Sequence, residues 1–250
     1  MDDFLGLNYI AMSEKAVKRY TKSYLKGIDE NVPNTIDLIF KLSYFIGETA
    51  DPESDIGATQ SICRIQYLQS PYSLWSIFKL YEEGYYLEAQ VLYRHVLEAF
   101  IQSRYFHKHP SKLIDHIKGT KRVNFSVMFN EFSPGYYKLY YKKFISEAVH
   151  GLAIKDIYRV DRKNSRTILG LEFSEDLAST IINQLVPLLY GFLNGFPVFF
   201  PQNNLIENPA INKAFVDSKN WLEYAIDSHT KSNPHSVIWI NHMKELITFS

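Results

Sequence analysis

The segment YYLEAQVLYRHVLEAFIQSRYFH, residues 85–107, decides the fold class, because its apolar residues recur at helical spacing along its whole length. Gly84 precedes the segment and Pro110 follows it, and both residue types commonly end helices. Arg94 and Glu98 stand four positions apart inside it, so they share one face of the helix. The segment therefore predicts a long helix that carries a charged pair on or beside its apolar face.

Similar helical spacing occurs on both sides of this segment, and turns are predicted where proline, glycine and asparagine occur. On the N-terminal side, Pro33 predicts a break between two helices, and Ser70 with Pro71 predicts the start of a new one. Helices are predicted at 13–28, 35–48, 56–68, 70–84, 85–107, 134–151, 175–196, 209–228 and 234–248, with a further short helix at 111–117.

These elements predict an all-α, single-domain helical bundle of about eight or nine helices that spans residues 1–250. Residues 70–155 form the motif-bearing core of this bundle. The segment 157–171 differs, because two short β-prone runs flank Asn164 and Ser165, and it predicts a short β-hairpin.

Charge and cysteine content limit the classes of function. Lys and Arg together number 27, as do Asp and Glu, so the chain as a whole attracts neither nucleic acid nor an anionic membrane. The single cysteine, Cys63, cannot form an internal disulfide, and the acidic N-terminus lacks the basic region of a signal peptide. Both features predict a cytoplasmic protein. The most apolar stretch, 181–200, contains prolines, glycines and amides, which favours a buried, kinked helix over a membrane span.

Arg94 and Glu98 have two interpretations. An ion pair at the edge of the apolar face would stabilise the helix by a few tenths of a kcal/mol (about 0.3–0.5). Alternatively, the pair meets Ser146 and His150, which also stand four apart and share a helix face. If the two helices pack antiparallel, the four side chains form one buried polar cluster, either structural or catalytic, with His150 as a candidate general base.

The order of these residues resembles an uncharacterised family of bacterial all-helical proteins of unknown function. The resemblance covers mainly residues 70–155. The matching residues are Gly84, Glu88, Ala89, Leu92, Arg94, Glu98, Tyr141 or Tyr140, Ser146, His150 and Gly151.

That family is in turn similar in style to HEPN helical domains, which occur in toxin–antitoxin and phage-defence proteins and include many metal-independent ribonucleases. Their signature is an arginine followed after four to six residues by a histidine on one helix. Arg104 and His109 match this spacing, whereas Tyr105 stands where the HEPN enzymes tend to carry a polar residue. The resemblance implies that RNA or a nucleotide is a candidate ligand.

Ribonucleolytic cleavage requires a base near the ribose 2′-hydroxyl and a cation near the phosphate. The catalytic candidates are His150, Arg94, Glu98 and Ser146. The candidates for binding are Arg104, His109, Lys121 and Arg122.

Metal and cofactor chemistry have little support in the sequence. The eight histidines are dispersed, and no glycine-rich phosphate loop, nucleophile elbow or dinucleotide fingerprint occurs. We therefore expect no metal site and no cofactor. Cys63 lies between apolar residues, which favours a buried, inert thiol over a nucleophile.

Two functions remain. The first is a non-enzymatic structural or interaction module whose aromatic faces form a homodimer or bind another protein, with no membrane partner. The second is a HEPN-like, metal-independent ribonuclease or nucleotide-binding protein in stress or phage defence. The first accounts for the tyrosine-rich helices at 85–93 and 135–144 without a further assumption.

Overall fold

The computed structural model describes residues 7–51, 53–138, 141–142, 160–161, 166–167, 171–233 and 236–249. Within them the fold is all-α, as the helical spacing predicted. The helices are α1 (Leu7–Tyr24), α2 (Ile28–Leu42), α3 (Asp55–Glu83), α4 (Tyr86–Lys108), α5 (Ser111–Lys118), α6 (Phe125–Phe132), α7 (Glu175–Ala178), α8 (Val186–Phe199), α9 (Pro209–Ser232) and α10 (Ser236–Ile247). A π-helical turn, Ile181–Leu185, joins α7 to α8, and single 3-10 turns at Ser43–Phe45 and Leu205–Glu207 follow α2 and α8.

Pro33 and Pro71 lie inside helices, although the sequence predicted a helix boundary at each of them. Pro33 belongs to α2, and the break before this helix is instead at Gly27, whose φ is 80°. Pro71 lies in the middle of α3, so the two helices predicted at 56–68 and 70–84 are one helix. Proline removes a helical hydrogen bond at a cost of about 3 kcal/mol. Packing offsets this cost at Pro71, because Tyr67 and Leu74 on either side are fully buried.

The long helix predicted at 85–107 is confirmed as α4. Gly84 separates it from α3 with a φ of 93°, a conformation that favours glycine. A β-carbon at Gly84 would also lie 3.1 Å from Val17 of α1. Helices α3 and α4 therefore form an antiparallel hairpin, which is the most extensive helix pairing in the described part of the chain.

Helix α8 forms the centre of the bundle. It packs against α2, α4, α9 and α10. Its apolar side chains are almost all buried: Leu188, Leu189, Phe192, Leu193, Phe196 and Phe199. The buried Tyr67 of α3 donates its hydroxyl to the carbonyl of Phe192, which ties the α3–α4 hairpin to this core.

The continuous helical run Glu175–Phe199 has the length and apolar composition of a membrane span, and no other helix in the described residues does. However, 72% of its most apolar window is buried inside the fold. In this structure the run is therefore a core helix, packed on several sides by other helices.

The two short strands in the structure lie inside the range predicted as a hairpin. β1 (Val160–Asp161) and β2 (Arg166–Thr167) pair antiparallel, with Val160 opposite Thr167. The residues that connect the strands, 162–165, lie outside the described part of the chain.

Candidate functional site

Arg94 and Glu98 form a partly buried polar cluster with Tyr141. Arg94 Nε donates a hydrogen bond to Glu98 Oε1 at 2.6 Å and to Tyr141 Oη at 3.2 Å. The Tyr141 hydroxyl donates to the same carboxylate oxygen. The Arg94 and Glu98 side chains are 18% and 23% exposed, so the pair lies neither in free solvent nor in the core. We call these three residues the α4 cluster.

Aromatic packing positions the tyrosine of this cluster. Tyr141 stands in a π-helical turn and is only 4% exposed. Its ring lies 4.7 Å from that of Phe125 in α6 and stacks on Tyr137 at 5.3 Å. The Arg94 guanidinium also lies over this ring, 5.7 Å from its centroid. The α4 cluster therefore connects α4 to α6 and to the turn that follows it.

Burial and the hydrogen bond from Tyr141 to Glu98 raise the pKa of Tyr141 against the opposing effect of Arg94. Burial lowers the pKa of Arg94, but the contacts of its guanidinium with Glu98 and Tyr141 outweigh this, and the net pKa is raised. The phenol is therefore protonated and the guanidinium charged at neutral pH. Acid–base catalysis at this cluster would require a further group that titrates near neutrality.

Ser146 and His150, predicted to join Arg94 and Glu98, lie outside the described residues. Their convergence with the pair therefore stays a prediction. Tyr141 was one of two tyrosines in the family resemblance, and the structure places it against both charged residues.

Arg104 belongs to α4, and its side chain contacts the C-terminal end of α10. These contacts favour a structural role over RNA binding. The residue is 7% exposed, and its Nη1 donates to the carbonyls of Glu245 at 2.8 Å and Leu246 at 2.5 Å. Its Nη2 donates to the carbonyl of Thr248. The guanidinium also stacks on Phe132, 3.8 Å from the ring centroid. Helix ends leave carbonyls without partners, and Arg104 satisfies three of them.

Burial lowers the pKa of Arg104 to about 10, which still leaves the guanidinium charged at neutral pH. A charged donor held on three carbonyls has little capacity left for a phosphate.

The other predicted binding residues are dispersed between a packed helix end and the surface. His109 Nε2 lies 3.4 Å from Glu131, and its ring packs 4.7 Å from that of Tyr105. Lys121 and Arg122 are exposed in the turn after α5. In this arrangement Arg104 and His109, the residues of the HEPN-like signature, both contact protein groups.

Glu82 is a buried carboxylate that sequence reasoning missed. It is 2% exposed and lies within ion-pair distance of three lysines, Lys79 at 2.6 Å, Lys18 at 3.1 Å and Lys22 at 3.7 Å. Lys18 and Lys22 stand four apart on α1, so the cluster joins α1 to α3. That lysine spacing was visible in the sequence, but the buried partner was not.

Cys63 has the environment of an inert thiol. It is fully buried, and burial raises its pKa to about 12. Among the described residues, no group of three or more His, Cys, Asp or Glu side chains is placed to hold a metal ion.

The tyrosine-rich segment of α4 forms core packing. Tyr86 and Tyr93 are 3% and 0% exposed. One of the exposed apolar surfaces lies on α3, where Ile65, Leu68, Tyr72 and Trp75 are 52%, 41%, 68% and 43% exposed; α1 also exposes large apolar side chains, such as Met12 at 66%. The four residues of α3, which we call the α3 stripe, are spaced three, four and three positions apart. This is the heptad spacing of a helix that packs on another helix.

His242 of α10 is a buried histidine whose ring nitrogens have no hydrogen-bond partner among the described residues. It is 5% exposed and packs on Tyr136, with Nδ1 3.6 Å from Glu245 Oε2. Burial lowers the pKa of His242, and this outweighs the contact with Glu245, which raises it. The folded protein therefore favours the neutral imidazole.

We expect His242 to make the fold less stable in mild acid. Because its folded pKa lies below the unfolded value of about 6.5, the stabilisation is complete above pH 6.5 and is lost as the pH falls through the folded pKa. The melting temperature of His242→Phe should therefore fall less between pH 7.5 and pH 5 than that of the wild type. His95→Gln, at an exposed position, is the control, and an equal loss in wild type and His242→Phe would contradict the assignment.

Comparison of the chain with known protein families, curated proteins and solved structures finds no match, so no function is transferred from a relative.

Proposed function

We propose that the protein is a non-enzymatic helical interaction module of the cytoplasm that binds a protein partner through the α3 stripe. The exposure of the stripe is the observation that carries this proposal. Its four side chains are 41–68% exposed in the middle of α3, the longest helix in the described residues, although they have the spacing of a packed interface. Apolar side chains clustered in this way mark sites of protein association more often than singly scattered ones do.

Aromatic side chains of α2 and of the 3-10 turn that follows it extend the same surface. The Tyr72 ring lies 5.9 Å from that of Phe40, which in turn contacts Tyr44 at 5.8 Å. Tyr44 is 73% exposed. Tyrosine and tryptophan are enriched at the energetically dominant positions of interfaces, because they present a large apolar area with a polar group at its edge. Together, α2 and α3 present a surface broader than one helix.

The polar clusters fit the same proposal as packing devices. The α4 cluster fixes the turn at Tyr141 against α4, and Arg104 closes the end of α10. Each charged group in them is matched by a polar group of the protein itself. Buried polar groups with complete partners are typical of a core that specifies one packing arrangement.

A metal-independent ribonuclease or nucleotide-binding protein is the second candidate. It is favoured by the α4 cluster, in which the partly exposed Arg94 and Glu98 contact Tyr141, so that a cation and a hydroxyl lie close together. It is less well supported, because Arg104 is held on backbone carbonyls and the net charge of the chain is zero.

Photo-crosslinking separates the two candidates. A benzophenone amino acid at position 72 is expected to give a discrete higher-mass adduct in cells, whereas the same group at position 224 gives none. Tyr224 is the matched control, since it is 70% exposed on α9. Purified protein incubated with total RNA and EDTA is expected to leave the RNA intact. RNA cleavage that Arg94→Ala abolishes, with no adduct at position 72, would overturn the proposal in favour of the ribonuclease.

A further inference from the structure

The α3 stripe has an internal symmetry. Large aromatic side chains, Tyr72 and Trp75, occupy its C-terminal half, and smaller aliphatic side chains, Ile65 and Leu68, occupy its N-terminal half. All four are exposed. If the helix is reversed about residue 70, position 65 falls on 75 and position 68 falls on 72. Each aromatic residue then falls on an aliphatic one.

We infer that the partner of the α3 stripe is a second copy of this chain, packed antiparallel across a two-fold axis beside residue 70. The inference rests on the proposed function, since it names the occupant of the same surface. In this arrangement Ile65 faces Trp75 of the second copy, and Leu68 faces Tyr72. Such alternating layers are those of two antiparallel helices with heptad spacing, and a two-fold interface has to be self-complementary in this way.

Side-chain volume favours the antiparallel over the parallel arrangement. A parallel pair would place Trp75 against Trp75 at one end of the stripe and Ile65 against Ile65 at the other. The two ends would then need different distances between the helices. The antiparallel pair gives every layer one aromatic and one aliphatic side chain, so the helices keep one spacing and their surfaces interlock along the whole stripe.

The charges beside the stripe favour the same arrangement. Arg64 is exposed at its N-terminal end, and Lys79 lies over the Trp75 ring, 5.3 Å from its centroid, at the other. In the antiparallel pair, Arg64 of one copy lies at the level of Ser76 of the other copy, and Lys79 lies at the level of Ser61. In a parallel pair Arg64 would instead stand at the level of its own copy, where like charges repel, whereas Lys79 is already paired with Glu82.

The aromatic side chains next to the stripe would enlarge an interface with a second copy. A stable interface buries about 800 Å² on each partner, which a four-residue stripe alone does not provide. The stripe is widened on each copy by Phe40 and by Tyr44, which is 73% exposed. The two-fold axis brings both of these broadened surfaces into the same interface.

Cysteine crosslinking tests the arrangement by its symmetry. Gln69 is exposed on the flank of the stripe, and in the antiparallel pair its two copies lie about 3 Å apart along the helix axis, from the rise of 1.5 Å per residue. The two copies of Ile65 are then separated by about 15 Å along the axis. In a parallel pair Ile65 meets its own copy, whereas the two copies of Gln69 lie on opposite flanks. The native Cys63 is fully buried and contributes no background.

We expect Gln69→Cys to form covalent dimers with a short bismaleimide at least 10-fold faster than Ile65→Cys, both in purified full-length protein at micromolar concentration. Faster crosslinking of Ile65→Cys would overturn the antiparallel arrangement. If neither variant crosslinks above the rate of Val216→Cys, an exposed position on α9, the second copy is excluded as the partner. An adduct at position 72 with a different protein would then leave the proposed function standing, and the absence of any adduct would remove both.

Discussion

Replacement of Arg104 with methionine is expected to lower the free energy of unfolding by about 3 kcal/mol. Each hydrogen bond from a charged group contributes about 1.5–3 kcal/mol, and part of this loss is recovered when water reaches the helix end. Methionine keeps the length and apolar stem of arginine, so it retains packing against Phe132 and Phe249. It removes every donor to the carbonyls of Glu245, Leu246 and Thr248. Urea unfolding monitored by circular dichroism measures the change.

Two further variants give the Arg104 prediction its controls. Arg104→Lys should lie between wild type and Arg104→Met, because an ammonium group keeps the charge but lacks the planar fork that reaches several carbonyls. Arg122→Met, at an exposed position, should change the free energy of unfolding by no more than about 0.5 kcal/mol. A loss below about 1 kcal/mol in Arg104→Met would contradict the structural role and return Arg104 to the candidates for ligand binding.

Glu82→Ala is expected to lower the free energy of unfolding by about 2 kcal/mol. Removing one partner of a fully buried ion pair costs about 3–5 kcal/mol, but the lysine side chains here are 32–42% exposed and can return to solvent, which reduces the cost. The loss arises because Glu82 is the acidic partner that α3 shares with Lys18 and Lys22 of α1. Urea unfolding in low salt measures it.

Glu83→Ala is the matched control for this carboxylate. Glu83 is the neighbouring residue, is 30% exposed and contacts only Lys18 among these ion pairs, at 3.7 Å. Its replacement should cost less than about 1 kcal/mol. If both variants lose the same stability, the burial of Glu82 is not what holds α1 against α3.

The features that could be predicted from the sequence are those that depend only on the spacing of residues along one helix. The long helix α4 was predicted within one residue at each end, because Gly84 and Pro110 flank an uninterrupted apolar pattern. The contact between Arg94 and Glu98 was predicted for the same reason, since four positions on a helix place two side chains together. Pro33 and Pro71 were wrongly predicted to mark helix boundaries. At Pro71 the reason is that a local rule does not include the burial of Tyr67 and Leu74 around it.

Contacts between distant parts of the chain could not be predicted in this way. Tyr141 joins Arg94 from 47 positions away, and Arg104 meets the carbonyl of Glu245 from 141 positions away. The exposed apolar stripe was missed for a different reason. Its heptad spacing is visible in the sequence, but the same spacing describes a buried helix face, and only the packing shows which face of α3 remains uncovered.

The mass of the protein in solution tests the central claim most directly. Light scattering after size-exclusion chromatography is expected to show a dimer of the 29.2 kDa chain at micromolar concentration. Leu68→Glu should weaken this dimer by about 100-fold, because it places a carboxylate in the apolar interface, whereas Val216→Glu on α9 should leave it intact. A wild-type protein that stays monomeric at micromolar concentration would contradict the account. So would a Leu68→Glu variant that dimerises as tightly as Val216→Glu.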